Sequence, residues 1–70
     1  MTEIVLNGQK AQAPAGETVA HLLARLELDA TRVAVELNRS ILKREAWEHT
    51  ILRAGDEVEI VMFVGGGSGY

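Results

Sequence analysis

Only one stretch of this 70-residue chain has helical periodicity, and its neighbours on both sides read as strands. In "ETVAHLLARLEL", Val19, Leu22, Leu23 and Leu26 fall at i, i+3, i+4 and i+7. That spacing predicts one apolar stripe on a helix over about residues 18–28. Thr18 is the expected N-cap, and Glu27, Leu28 and Asp29 mark a loosely defined end. A single helix cannot bury its own stripe, so the strands must supply the opposing surface.

"TEIVLNGQKAQA" predicts strands at about 2–6 and 9–13, joined by Asn7-Gly8. Both central positions of a type I′ turn need positive φ, which these two residue types supply. Pro14 and Gly16 end the second strand. "RVAVELN" alternates Val33, Val35 and Leu37 inward with Ala34 and Glu36 outward. In "RSILKREAWEHTIL", Ile41-Leu42 reads as a short strand, "KREAWEH" as one helical turn and Ile51-Leu52 as a short edge segment. "DEVEIVMFV" alternates Val58, Ile60 and Met62 with Glu57, Glu59 and Val61. Hairpin, helix, strand, irregular crossing and final strand imply an α+β fold with the helix packed across one sheet face. The first and last strands are expected side by side in the middle, burying "EIVL" and "VEIVMFV". This is the β-grasp, or ubiquitin-like, architecture: a mixed sheet of four or five strands on one main helix. Its expected core is Ile4, Leu6, Val33, Val35, Leu37, Val58 and Ile60, together with the helical stripe.

Composition narrows the function classes. There is no cysteine, which excludes disulfides, zinc–thiolate sites and any thiol or persulfide of the chain's own. The formal net charge of −3, with basic residues scattered, argues against nucleic acid. No apolar run approaches the roughly 20 residues that span a bilayer, and "MTEIVLNG" lacks the pattern of a signal peptide. The expectation is a cytoplasmic protein, monomeric when free, with one domain at 1–64 and a flexible glycine-rich tail at 65–70.

The tail is the unusual part: "FVGGGSGY" directly follows the most strand-like run. "NG", "GETVAHLLARL", "VAVELN", "KREAW" and above all "L-x-x-GD-x-VEIV-x-FVGGG" together resemble the ThiS family of sulfur carriers over residues 2–67. The resemblance implies a carrier, not an enzyme, with no bound cofactor and no metal. A ThiF-like adenylating enzyme would use ATP to activate a terminal glycine carboxylate, which becomes a thiocarboxylate. A ThiG-like thiazole synthase would consume that sulfur in making the thiazole of thiamine. Aligned on the final block, the reactive position is Gly67, with Gly65 and Gly66 threading the partner's channel. Phe63 and Val64 either close the core or form part of a docking surface. Ser68, Gly69 and Tyr70 depart from the pattern, because they leave Gly67 as an amide. A peptidase that removes them would restore the carboxylate, and "GGGSG" also reads as a flexible linker.

Other residues read more plainly. His21 and His49 lack a partner at metal or triad spacing and are expected at the surface. Trp47 is expected to anchor a satellite of the core, and Glu57 and Glu59 to form a solvated face. Arg39, Lys43 and Arg44 are expected to solubilise. The alternatives are a carrier for molybdopterin, a sulfur amino acid or a secondary metabolite, and a ubiquitin-like interaction module that is never activated.

Overall fold

Asn7 and Gly8 both adopt left-handed backbone, with φ of 49° and 82°. The chain therefore reverses within two residues and lays β2 (Gln9–Ala13) antiparallel on β1 (Thr2–Leu6). The structure, a computed structural model, describes residues 1–63. Beyond this hairpin come α1 (Val19–Arg25), β3 (Val33–Leu37), β4 (Ser40–Leu42) and β5 (Glu57–Met62). The strands form one mixed sheet in the order β2-β1-β5-β3-β4. β5 is central, parallel to β1 and antiparallel to β3. The β-grasp expectation is met, including the pairing of the first and last strands.

α1 starts where Thr18 accepts a hydrogen bond from the His21 N–H, as expected of its N-cap. It ends earlier than predicted. Glu27 takes φ of 60°, while the Glu27 N–H donates to the Ala24 carbonyl and the Leu28 N–H to the Leu23 carbonyl. This is a Schellman closure with glutamate in the place glycine usually fills. Leu26 consequently leaves the core stripe: it is the C-cap and 36% exposed, against its predicted burial. Leu28 packs against the core instead.

The fully covered core joins Val19, Leu22 and Leu23 of α1 to Ile4, Val33, Val35 and Val58 of the sheet. Leu6, Leu37 and Ile60 pack around it partly buried, and Ala13, Trp47 and Leu52 complete it. Trp47 sits in a 3-10 turn over Arg44–His49 and donates its indole N–H to the Leu42 carbonyl at 2.9 Å, so it is the anchor expected. The predicted edge segment is reduced to a single bridge from Ile51 to Thr18.

A second correction concerns the end of β5. Seven helical residues span about 10 Å, whereas six strand residues span about 20 Å. The helix cannot cover the whole strand. Met62, on the helix side and expected to be buried, is 57% exposed, while Val61 and Phe63, 54% and 52% exposed, alternate onto the other face.

One buried charge ties the loop before α1 to the helix. The Glu17 carboxylate is fully covered, accepts from Arg25 Nε and Nη2 at 2.8 Å each, and lies 2.6 Å from His21 Nδ1. The Glu17 N–H donates to the Pro14 carbonyl, and its own carbonyl accepts from Leu52. The Arg25 hydrogen bonds hold the Glu17 carboxyl below its usual range; burial opposes this, and His21 adds to the lowering.

Leu23→Ala should destabilise the fold by about 2–5 kcal/mol in denaturant titration, because the emptied site lies in a small, fully packed core. The Glu17 clamp should make stability depend on acid. A carboxyl depressed in the folded state contributes fully above its unfolded pKa and loses that contribution as pH falls through the folded value. Unfolding free energy should therefore drop below about pH 4.5, and Glu17→Gln should flatten that drop. At neutral pH the substitution should destabilise by about 1–2 kcal/mol, discounted because Arg25 and His21 are partly exposed.

Candidate functional site at the root of the tail

Because β5 is the central strand, its C-terminal end delivers the chain from the middle of the sheet. The last described tether there is the Phe63 N–H, which donates to the Arg32 carbonyl at 2.8 Å. Arg32 closes a 3-10 turn over Ala30–Arg32 that Asp29 caps. Asp29 Oδ1 accepts from the Thr31 N–H at 2.9 Å and the Thr31 hydroxyl at 2.6 Å. Those two bonds, the hydroxyl's first, hold the Asp29 carboxyl below its ordinary range. The root of the tail thus rests on a short, capped turn.

Strand register defines the sheet face away from α1. Val5 pairs with Glu57, Glu36 with both Glu59 and Ile41, and Ala34 with Val61. Successive strand residues alternate faces, so these side chains oppose the helix, and Phe63 continues the same series. Val61 and Phe63 are exposed apolar surface beside the tail root, and Ile41, 73% exposed, lies two strands away on the same face, in the row of Glu36 and Glu59. Glu57 lies 3.5 Å from Arg39 in an ion pair. No ion pair among the described residues includes Glu36 or Glu59.

Two surface hollows lie elsewhere. One of about 330 Å³ is lined by Pro14, Ala15, Gly16, Glu17, Thr18 and His21, and one of about 720 Å³ by Arg44, Glu45 and Glu48. Neither has a β5 residue in its wall. Among the described residues no three His, Asp or Glu side chains are grouped to hold a metal ion. His21 is more engaged than its spacing suggested, because Glu17 at i−4 reaches it; the pair serves the clamp on α1.

Of the predicted site residues, Phe63 directly follows β5 and is half exposed. Val64, Gly65, Gly66 and Gly67 lie outside the described residues, as do Ser68, Gly69 and Tyr70. Sequence reasoning missed Ile41 and the pairing of Glu36 with Glu59. Alternation marked both glutamates as outward, but only the register of β3 on β5 shows that they face each other.

A family model described as the ThiS family matches residues 2–67. The chain is 34% identical over 65 residues to the sulfur carrier protein ThiS of Escherichia coli (strain K12), covering 93% of this chain and 98% of that one. It is 39% identical over 66 residues to a thiazole synthase of Paramagnetospirillum magneticum, covering 94% of this chain. The chain spans 20% of the length of that synthase and of a second one, from Magnetococcus marinus. Among solved structures, the thiamine biosynthesis protein ThiS of Geobacter metallireducens superposes with a TM-score of 0.81 at 36% identity, covering 94% of this chain and 100% of that one. Both the β-grasp domain and the sequence running from it to Gly67 are therefore shared, and this chain belongs to the ThiS family.

Proposed function

We propose that this chain is a sulfur carrier for thiamine biosynthesis and that its reactive group is the carboxylate of Gly67. The observation that carries the reading is the family match, which runs from the β-grasp domain through to Gly67. The domain serves as a handle, and the residues after Phe63 serve as an arm that reaches a partner's active site. Resemblance to two thiazole synthases favours thiamine over the molybdopterin and amino-acid alternatives.

The chemistry follows from a carboxylate at the end of a narrow chain. One carboxylate oxygen attacks the α-phosphate of ATP in the adenylating partner, and pyrophosphate leaves. The resulting acyl-adenylate is attacked at carbon by a sulfur nucleophile, and AMP leaves. The product is a thiocarboxylate, which the thiazole synthase consumes. The chain supplies no catalytic side chain to these steps, so its lack of cysteine is no obstacle. Glycine suits positions 65–67 because a Cβ would widen the chain and restrict φ inside a channel. The carrying form ends at Gly67, so Ser68, Gly69 and Tyr70 are first removed by a peptidase.

Incubation with ATP, a sulfur donor and a ThiF-type enzyme, followed by intact mass measurement, tests this reading. The form ending at Gly67 should gain the mass difference of one oxygen exchanged for one sulfur, and the 70-residue form should not. Activation of the untrimmed chain would show that Gly67 is the wrong residue. If neither form is activated, an interaction module replaces the carrier. Gly66→Ala should lower kcat/KM for adenylation by about tenfold, with the melting temperature unchanged. Phe63→Ala should raise KM for the carrier by a similar factor, again without loss of stability, since the side chain is half exposed. An unchanged KM would remove Phe63 from the docking surface.

A further inference from the structure

Glu36 and Glu59 stand directly opposite each other on β3 and β5, in the middle of the exposed sheet face. Side chains in that relation have Cβ atoms about 5 Å apart, and like charges so placed repel. Arg39 has Glu57 as its partner, and no described Lys, Arg or His pairs with Glu36 or Glu59. The surroundings are apolar towards the tail, while on the other side lies Glu57 with its Arg39 partner. Ile41 lies beside Glu36 in the same row, and Ala34 and Val61 form the next row towards the tail. A partner that covers Ile41 and Val61 must also cover two neighbouring carboxylates, which would be buried without a counter-charge.

We infer that this face docks a protein surface whose apolar centre carries an arginine or lysine seated between Glu36 and Glu59, and that this pair selects the carrier's partner by charge. The inference rests on the carrier reading, because the face adjoins the root of the tail that the partner must receive. A second copy of this chain is a poor occupant. A two-fold contact over the face would add acidic surface to acidic surface, in a chain of net charge −3. A cation on the partner relieves the repulsion within the carrier and satisfies both carboxylates, so it gains from two charges at once.

Glu59→Lys separates the two consequences, because it should stabilise the free domain and weaken the complex. A lysine opposite Glu36 forms an attractive cross-strand pair, so the melting temperature should rise. The same lysine repels the partner's cation. Calorimetric titration of the 70-residue chain, and of the form ending at Gly67, into a ThiF-type adenylating enzyme should then show Kd raised about tenfold or more at low salt. The difference should shrink as salt screens the contact. Glu36→Gln with Glu59→Gln should weaken binding in the same direction while keeping side-chain shape. Glu48→Lys, an equal charge change on the Arg44–His49 turn, should leave Kd as it was.

If the Glu59 variants bind as tightly as the parent, the charge assignment is wrong and the carrier reading stands. If neither parent form binds the enzyme, the carrier reading falls and this inference falls with it. If sedimentation instead shows a dimer of the parent chain that Glu59→Lys alters, the occupant is a second copy and the inference is overturned.

Discussion

β5 is held by asparagine side chains as well as by its neighbouring strands. On one side, Asn7 Oδ1 accepts from the Ile60 N–H at 2.8 Å, just past the point where β1 turns away. At the start of the strand, Asn38 Oδ1 accepts from the Glu57 N–H at 2.9 Å, and its amide donates to Asp56 Oδ1 at 3.1 Å. Both asparagines have positive φ and belong to two-residue turns, so each does two jobs. Each reverses a hairpin and presents a side-chain carbonyl where the parallel or antiparallel ladder lacks a backbone acceptor. β1 pairs with β5 at only two register positions, and the Asn7 bond extends that short parallel contact. The exit point of the tail is thereby fixed relative to the core.

The short helix then determines how much of the core-facing side of the central strand is covered. With α1 closed at Arg25 by the left-handed Glu27, the apolar layer ends near Ile60. The last turn of strand before the tail is left as exposed apolar surface, although its residues are as hydrophobic as those in the core. A longer helix would cover Met62, whereas Val61 and Phe63 lie on the opposite face and would stay open. In a domain this small, where core area is scarce, leaving Val61, Met62 and Phe63 uncovered gives up stability that the fold needs. That loss is intelligible if the surface is covered when the protein works.

The sequence made legible those features whose physics is local. The Asn7-Gly8 turn, the Thr18 cap, the alternation in β3 and β5 and the Trp47 anchor each depend on residues near one another. The Asn38-Arg39 turn was not legible, because the second position holds arginine at φ of 71° where glycine would have signalled a type I′ hairpin. The early end of α1 was hidden for the same reason, with glutamate in the left-handed cap. Glu17, Arg25 and His21 were not read as a cluster, since a bond over eight residues requires the loop before α1 to fold back. The outward sheet face was only half visible. Outward positions follow from alternation, but which outward residues meet across strands depends on register, and register is set by both turns and the core together. For Gly65, Gly66 and Gly67 the composition and the family resemblance carry the argument, because these residues lie outside those described.

A carrier of this kind has to meet two demands that conflict in a single-domain protein. On the proposed reading its tail is presented to partner enzymes, so the surface around the tail cannot be sealed by the carrier's own side chains. The same surface must also resist indiscriminate contact, which exposed Ile41, Val61 and Phe63 on one sheet face would invite. On the docking inference, placing Glu36 against Glu59 on that face answers both. Unrelieved repulsion in the free state is a modest penalty, of the order of a few tenths of a kcal/mol to 1 kcal/mol for an exposed cross-strand pair. Burying both carboxylates under a surface with no cation is far more unfavourable than that. The penalty in the free protein is thus small beside the discrimination obtained on binding. Glu57, already matched by Arg39, adds negative charge to the face without adding to that discrimination.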